Sequence, residues 1–124
     1  MSEVALQSWL YQKLSAEVST PVYDVVPDDA TLPYIVIDST FCKPDDFLSG
    51  RRKETHFIYL SVWSNYEGQK EVKQIIEDID NCLRNSRSSN FVGALKLLRK
   101  EVKRDSDGIT FIGSVSFQVI VIGD

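Results

Sequence analysis

The stretch Ile109 to Ile122, ITFIGSVSFQVIVI, follows directly on Asp105-Ser106-Asp107-Gly108. Apolar and β-branched side chains at this density suit a pleated strand. Asp-Gly is a strong hairpin signal, because glycine takes left-handed backbone at little steric cost. The segment before the turn, Leu95 to Arg104, is ambiguous alone: Leu95, Leu98 and Val102 fit a helix, while alternating polar residues fit an edge strand. A hairpin closing at Asp107-Gly108 decides in favour of strand. Thr55 to Trp63 has period two, with His56, Ile58, Leu60 and Val62 on one face and Phe57, Tyr59, Ser61 and Trp63 on the other. Apolar residues on much of both faces indicate a central position in a sheet.

Two further strands are expected at Val22 to Val26 and Tyr34 to Phe41, separated by the PDDATLP link. Helical spacing appears twice. Leu6, Trp9, Leu10 and Leu14 mark a helix over Glu3 to Glu17, with Ser2 as N-cap and Thr20-Pro21 as its stop. From Gln69 onward, Val72, Ile75, Ile76, Ile79, Cys82 and Leu83 share a face, and Glu71, Lys73, Gln74, Glu77, Asp78 and Asp80 are assigned to the opposite, wet face. Lys43 to Glu54 reads as a long exposed loop or a loosely paired hairpin arm. The order predicts a single α+β domain over residues 1–124: a mainly antiparallel sheet of about five strands with two helices packed on one face.

The composition is that of an ordinary globular chain, 43% hydrophobic and 26% charged. No segment is long and apolar enough to span a bilayer, so no membrane partner is expected. MSEVALQSWLYQKL lacks the basic, apolar and small-residue order of a signal peptide, making cytoplasmic synthesis the expectation. A net charge of −4 argues against a protein that coats nucleic acid.

The residues that could carry chemistry do not assemble into a convincing enzyme. Asp28-Asp29 and Asp45-Asp46 have no nucleophile or ligand partner nearby in sequence, and acids between prolines read as solvated links. DSDG resembles part of a calcium loop, but Ser114 stands where the terminal Glu is needed. Gly108 to Ser114 has the spacing of a phosphate loop without its lysine, inside a strand rather than before a helix. The lone His56 has no catalytic sequence context and reads as a packed or interfacial strand histidine. Cys42 and Cys82, with one histidine in the chain, fall short of a structural zinc motif and read as buried small hydrophobes. No metal ligand, cofactor or catalytic residue is assigned. The basic run Lys96, Arg99, Lys100, Lys103 and Arg104 could face DNA phosphates, but it equally suits the protective charge of an edge strand.

Several blocks occur together in order. They are the N-terminal amphipathic helix, VYDVVPDDATLPYIVID, the acidic loop with Gly50, the strand ending Val62-Trp63-Ser64, the turn Tyr66 to Gly68, the helix KEVKQIIEDIDNCL, and the closing DSDG hairpin. This order resembles the tail terminator, or tail completion and head–tail joining, proteins of long-tailed bacteriophages and prophages, over nearly the whole chain. The resemblance implies a structural virion protein without catalysis or cofactor. Such a protein forms a ring, usually sixfold, on the tail tube, ends tail polymerisation and presents the head-docking surface. The implied partners are further copies of the chain, the tail tube protein, a head-completion or connector protein, and DNA passing through the lumen without sequence-specific binding. The implied location is the tail–head joint of a virion assembled in the bacterial cytoplasm.

Asp45, Asp46, Phe47, Leu48, Arg51 and Arg52 mix exposed apolar side chains with charge, which suits a contact with a neighbouring subunit or the tube. The alternatives are a head-completion or adaptor subunit, a nucleic-acid-binding accessory protein using Lys96 to Arg104 and, last, a small hydrolase around His56 and the paired acids.

Overall fold

The computed structural model describes residues 1–48 and 51–122, and the side chains of all of these except 46–48 and 51. The elements follow in the order α1 (Glu3–Glu17), β1 (Val22–Tyr23), β2 (Tyr34–Leu48), β3 (Arg51–Ser64), α2 (Lys70–Leu83), β4 (Phe91–Arg104) and β5 (Phe111–Ile122). The strands form one five-stranded sheet in the order β1-β2-β3-β5-β4. Only the short β1–β2 pair is parallel; β2–β3, β3–β5 and β4–β5 are antiparallel. The fold is therefore α+β with a mostly antiparallel sheet, and β3 occupies the central position that its two apolar faces indicate.

Both helices lie on the same side of this sheet. The Ser2 Oγ caps α1 by accepting the Ala5 N–H at 3.1 Å, and Leu6, Leu10 and Leu14 form its buried stripe. Trp9 sets its ring edge-on to Phe91, with centroids 5.1 Å apart. In α2, Val72, Ile75, Ile76, Ile79, Cys82 and Leu83 are all buried. They pack on the inward residues of the sheet: Ile58, Leu60 and Val62 from β3, and Val115, Phe117, Val119 and Val121 from β5. Each such side chain contributes roughly 1.5–3 kcal/mol on leaving water. α2 crosses so close to β5 that a Cβ on Gly113 would stand 2.7 Å from Ile76 Cδ1 and 2.9 Å from Val72 Cγ2. Gly113 is thus a contact point between strand and helix.

Some boundaries differ from expectation. Val22 to Val26 shortens to the two residues of β1, because Asp24 onward turns away into the proline link. Lys43 to Glu54 forms paired strand arms, with register running from Lys43–Thr55 to Leu48–Arg51. Pro44 is tolerated because β1 covers only Ile35 and Val36, leaving the outer edge of β2 beside it without a strand neighbour. Asp80 is the clearest correction. It does not belong to the wet face of α2 but is only 8% exposed, where it joins α2 to β4. The proline link reads as expected: Asp28 and Asp29 are exposed, in a turn closed by the Ala30 N–H donating to Pro27 O at 3.0 Å.

Candidate assembly surfaces

The sheet has a second face with no helix on it. Residues alternating with the core project here: Tyr34, Phe41, Phe57, Tyr59, Trp63, Ile112 and Ile120. Phe41 and Phe57 pair with centroids 5.9 Å apart. Phe41 is 56% exposed and Tyr59 40%, and Val92, opposite Ile120, is 44% exposed. Trp63 lies over Ser61 and donates its indole N–H to the Ser61 Oγ at 3.0 Å. A contiguous aromatic surface of this kind on a sheet marks an interaction site more often than a solvated face.

The basic run of β4 is not one patch. Strand alternation sends Lys96, Arg99 and Lys103, opposite Gln118, Ser116 and Ile112, to the helix-free face. Lys100 and Arg104 point to the other side. There Lys100 Nζ stands 2.8 Å from Asp80 Oδ2, and Arg84 grips the same carboxylate with two contacts of 2.6 Å. Burial pushes the Asp80 carboxyl up, but the hydrogen bonds from Lys100 and Arg84 outweigh it and hold the group below its ordinary value. Arg104 sits over the Phe111 ring at 5.1 Å. Arg99 pairs with Glu101 at 2.9 Å. The five basic residues, open to a DNA-facing or an edge-strand reading, thus divide into Lys96, Arg99 and Lys103 beside the aromatic face and Lys100 and Arg104 on the helix side. As the terminal strand of the sheet, β4 also fits the edge-protection reading.

Of the hairpin residues, Asp45 accepts the Thr55 hydroxyl at 2.9 Å, so its charge is tied into the sheet. Arg52 is exposed near the hairpin end. The side chains of Asp46, Phe47, Leu48 and Arg51 lie outside the described residues.

The motifs at the ends of the strands have architectural roles. Buried Ser64 donates to Glu71 Oε1 at 2.7 Å and accepts the Tyr66 N–H at 3.2 Å, which joins the end of β3 to the first turn of α2. Gly68, at φ +97°, makes the turn between them. In the DSDG hairpin, Asp107 accepts the Thr110 hydroxyl and the N–H groups of Thr110 and Ile109, bonds that lower its pKa. Asp107 is an intrachain turn acceptor here. His56 is buried on the core side of β3, opposite Cys42 of β2. Cys82 is buried in α2, whereas Cys42 is half-buried and does not fit the expectation of a buried hydrophobe.

Fold and surfaces together describe a small α+β module with a single helix layer and an aromatic sheet face without a helix among the described residues. Residues 4–122 match the family model for the tail completion protein gp17, and the chain belongs to that family. A chain from the virion of a native gene transfer agent particle has the same fold, with a TM-score of 0.83 and 24% identity, over 99% of this chain and 100% of that one. Comparison with curated protein sequences returns no match.

Proposed function

We propose that this chain is a structural subunit that closes the tail of a phage or phage-like particle. Subunits form a ring, usually sixfold, on the end of the tail tube, stop its growth and present the surface on which the filled head docks. The family match across residues 4–122 carries this reading. The same fold occurs in a chain from the virion of a native gene transfer agent particle.

A ring needs heterologous contacts, in which two different patches on each subunit complement one another. The helix-free aromatic face, rimmed by Lys96, Arg99 and Lys103, has the apolar centre and charged margin of a protein interface. The β2–β3 hairpin, with Arg52 and the neighbouring Asp46, Phe47, Leu48 and Arg51, supplies the second patch. The role requires no catalysis and no cofactor, and DNA passes through the lumen without being read.

Deleting the gene and imaging the particles tests the proposal. The expected result is overlong or ragged tails beside separate filled heads. Tails of normal length would instead assign the chain to the head side of the joint. Replacing Asp45, Asp46, Arg51 and Arg52 together should leave the subunit folded by circular dichroism yet unable to cap tails. Normal closure by that variant would remove the hairpin from the proposed interface.

A further inference from the structure

The sequence places Glu3, Cys42, Glu54 and His56 far apart, and the fold brings them together. Glu3 lies in the first turn of α1, Cys42 on β2, and Glu54 and His56 on β3, all on the helix side of the sheet. One ligand atom from each of Glu3, Cys42 and His56 lies within 4.8 Å of the other two. Cys42 Sγ stands 3.7 Å from His56 Nε2 and 3.4 Å from Glu54 Oε2, and His56 Nε2 stands 3.7 Å from Glu54 Oε1. The 3.7 Å separation of His56 Nε2 from Glu54 is too long for a good hydrogen bond. The 3.4 and 3.7 Å spacings among Cys42, His56 and Glu54 lie within a few tenths of an ångström of the edges of a zinc tetrahedron, about 3.3–3.7 Å for ordinary Zn–S, Zn–N and Zn–O bonds. Glu3, within 4.8 Å of Cys42 and His56, has to close in to complete it.

The composition of the cluster points the same way. A thiol, an imidazole and carboxylates are the mixed soft and hard donors that a borderline divalent cation accepts. His56 is 1% exposed, Cys42 is half-buried and Glu3 reaches in from solvent, which gives a buried floor and an open entrance. The carboxylates of Glu54, Glu3 and Asp45 surround the Cys42 thiol with negative charge. This negative surrounding favours a dication.

We propose that Glu3, Cys42 and His56, with Glu54 as fourth donor, form a binding site for a divalent cation of the zinc type. On binding, a bond forms between Cys42 Sγ and the metal, and the thiol proton leaves to water. His56 offers Nε2 to the metal. All four residues belong to one subunit, so the site stands independently of the ring. Its structural effect is to fasten the start of α1 to the base of the β2–β3 hairpin, beside the place where the Met1 ammonium donates to Ile122 O at 3.0 Å.

The test is titration of the reduced, chelator-treated full chain with Co²⁺ alone, followed by displacement with Zn²⁺. The expected result is saturation at one ion per chain, a thiolate-to-cobalt charge-transfer absorption, and loss of that band as Zn²⁺ is added. Cys42→Ser should abolish the band while melting like the wild type without metal. Cys82→Ser should keep it, and Glu3→Gln should weaken affinity at least about tenfold. Absence of the band in the wild type, or an equal band in Cys42→Ser, would overturn the assignment.

Discussion

The two faces of the sheet have similar chemistry and different fates. On the helix side, Ile58, Leu60, Val62, Val115, Phe117, Val119 and Val121 are essentially inaccessible to water. On the other side Phe41, Tyr59 and Val92 stand well exposed on a surface that also carries Phe57, Trp63, Ile112 and Ile120. The isolated subunit uses one face to fold, and in the proposed role its second apolar face meets another molecule. In that role stability and assembly fall on opposite sides of the same strands, and substitutions should separate them.

The largest effect is expected at the centre of the covered face. Phe117→Ala removes a ring with no solvent exposure and should cost about 3–5 kcal/mol in urea unfolding, the range for deleting a buried aromatic. A cost below about 1 kcal/mol would mean that the helix layer is looser than described. Next comes Gly113→Val, whose branched side chain has no room beneath Val72 and Ile76. Overpacking of this kind should destabilise by about 2–3 kcal/mol and displace α2, visible as altered amide chemical shifts along that helix.

Asp80→Asn is expected to cost less, about 1–2 kcal/mol at neutral pH, because Arg84 and Lys100 are partly in solvent and screened. Its pH dependence gives a sharper test. The folded carboxyl titrates below the ordinary value of 3.8, so its stabilisation is fully present above that value and is lost as pH falls through the lower folded value. Denaturation midpoints of wild type and Asp80→Asn should therefore run parallel above about pH 5 and converge in stronger acid. The smallest effect on the monomer belongs to the open face. Tyr59→Ser, at a site 40% exposed, should change unfolding free energy by no more than about 1 kcal/mol. The same variant should nonetheless lose tail capping in complementation. Equal losses of stability and assembly would end the separation between the faces.

Much of the fold could be read from periodicity. α2 announces itself through Val72, Ile75, Ile76, Ile79 and Leu83, and the Asp-Gly hairpin correctly resolves β4 as a strand. The misreadings share one physical origin: they concern residues whose meaning depends on a partner distant in sequence. Asp80 borders the apolar stripe of α2, and only the arrival of Lys100 from β4 makes a buried charge acceptable there. Its spacing of four from Arg84 was the available clue. The β4 cations look like one cluster in a line of text, but a period of two divides them between faces. Pro44 and the acids beside it leave Lys43 to Glu54 open between a loop and a hairpin arm, because nothing local reveals that β2 is nearly an edge. Cys42 and His56 become neighbours only through the β2–β3 register, so the cluster they form with Glu3 and Glu54 could not be found by spacing.

The sheet order has a consequence for the newborn chain. β5 is made after the other four strands of this sheet, yet it lies between β3 and β4. Until it leaves the ribosome, the β2–β3 hairpin and its β1 strip are the widest sheet available, and β4 has no strand to dock on. The inner aliphatic rows of β3 and α2 must therefore wait for a late, long-range insertion, the slow kind of strand pairing. During that interval the flank of β3 that will receive β5 is an open template, and chaperone capture or mispairing has its opportunity there.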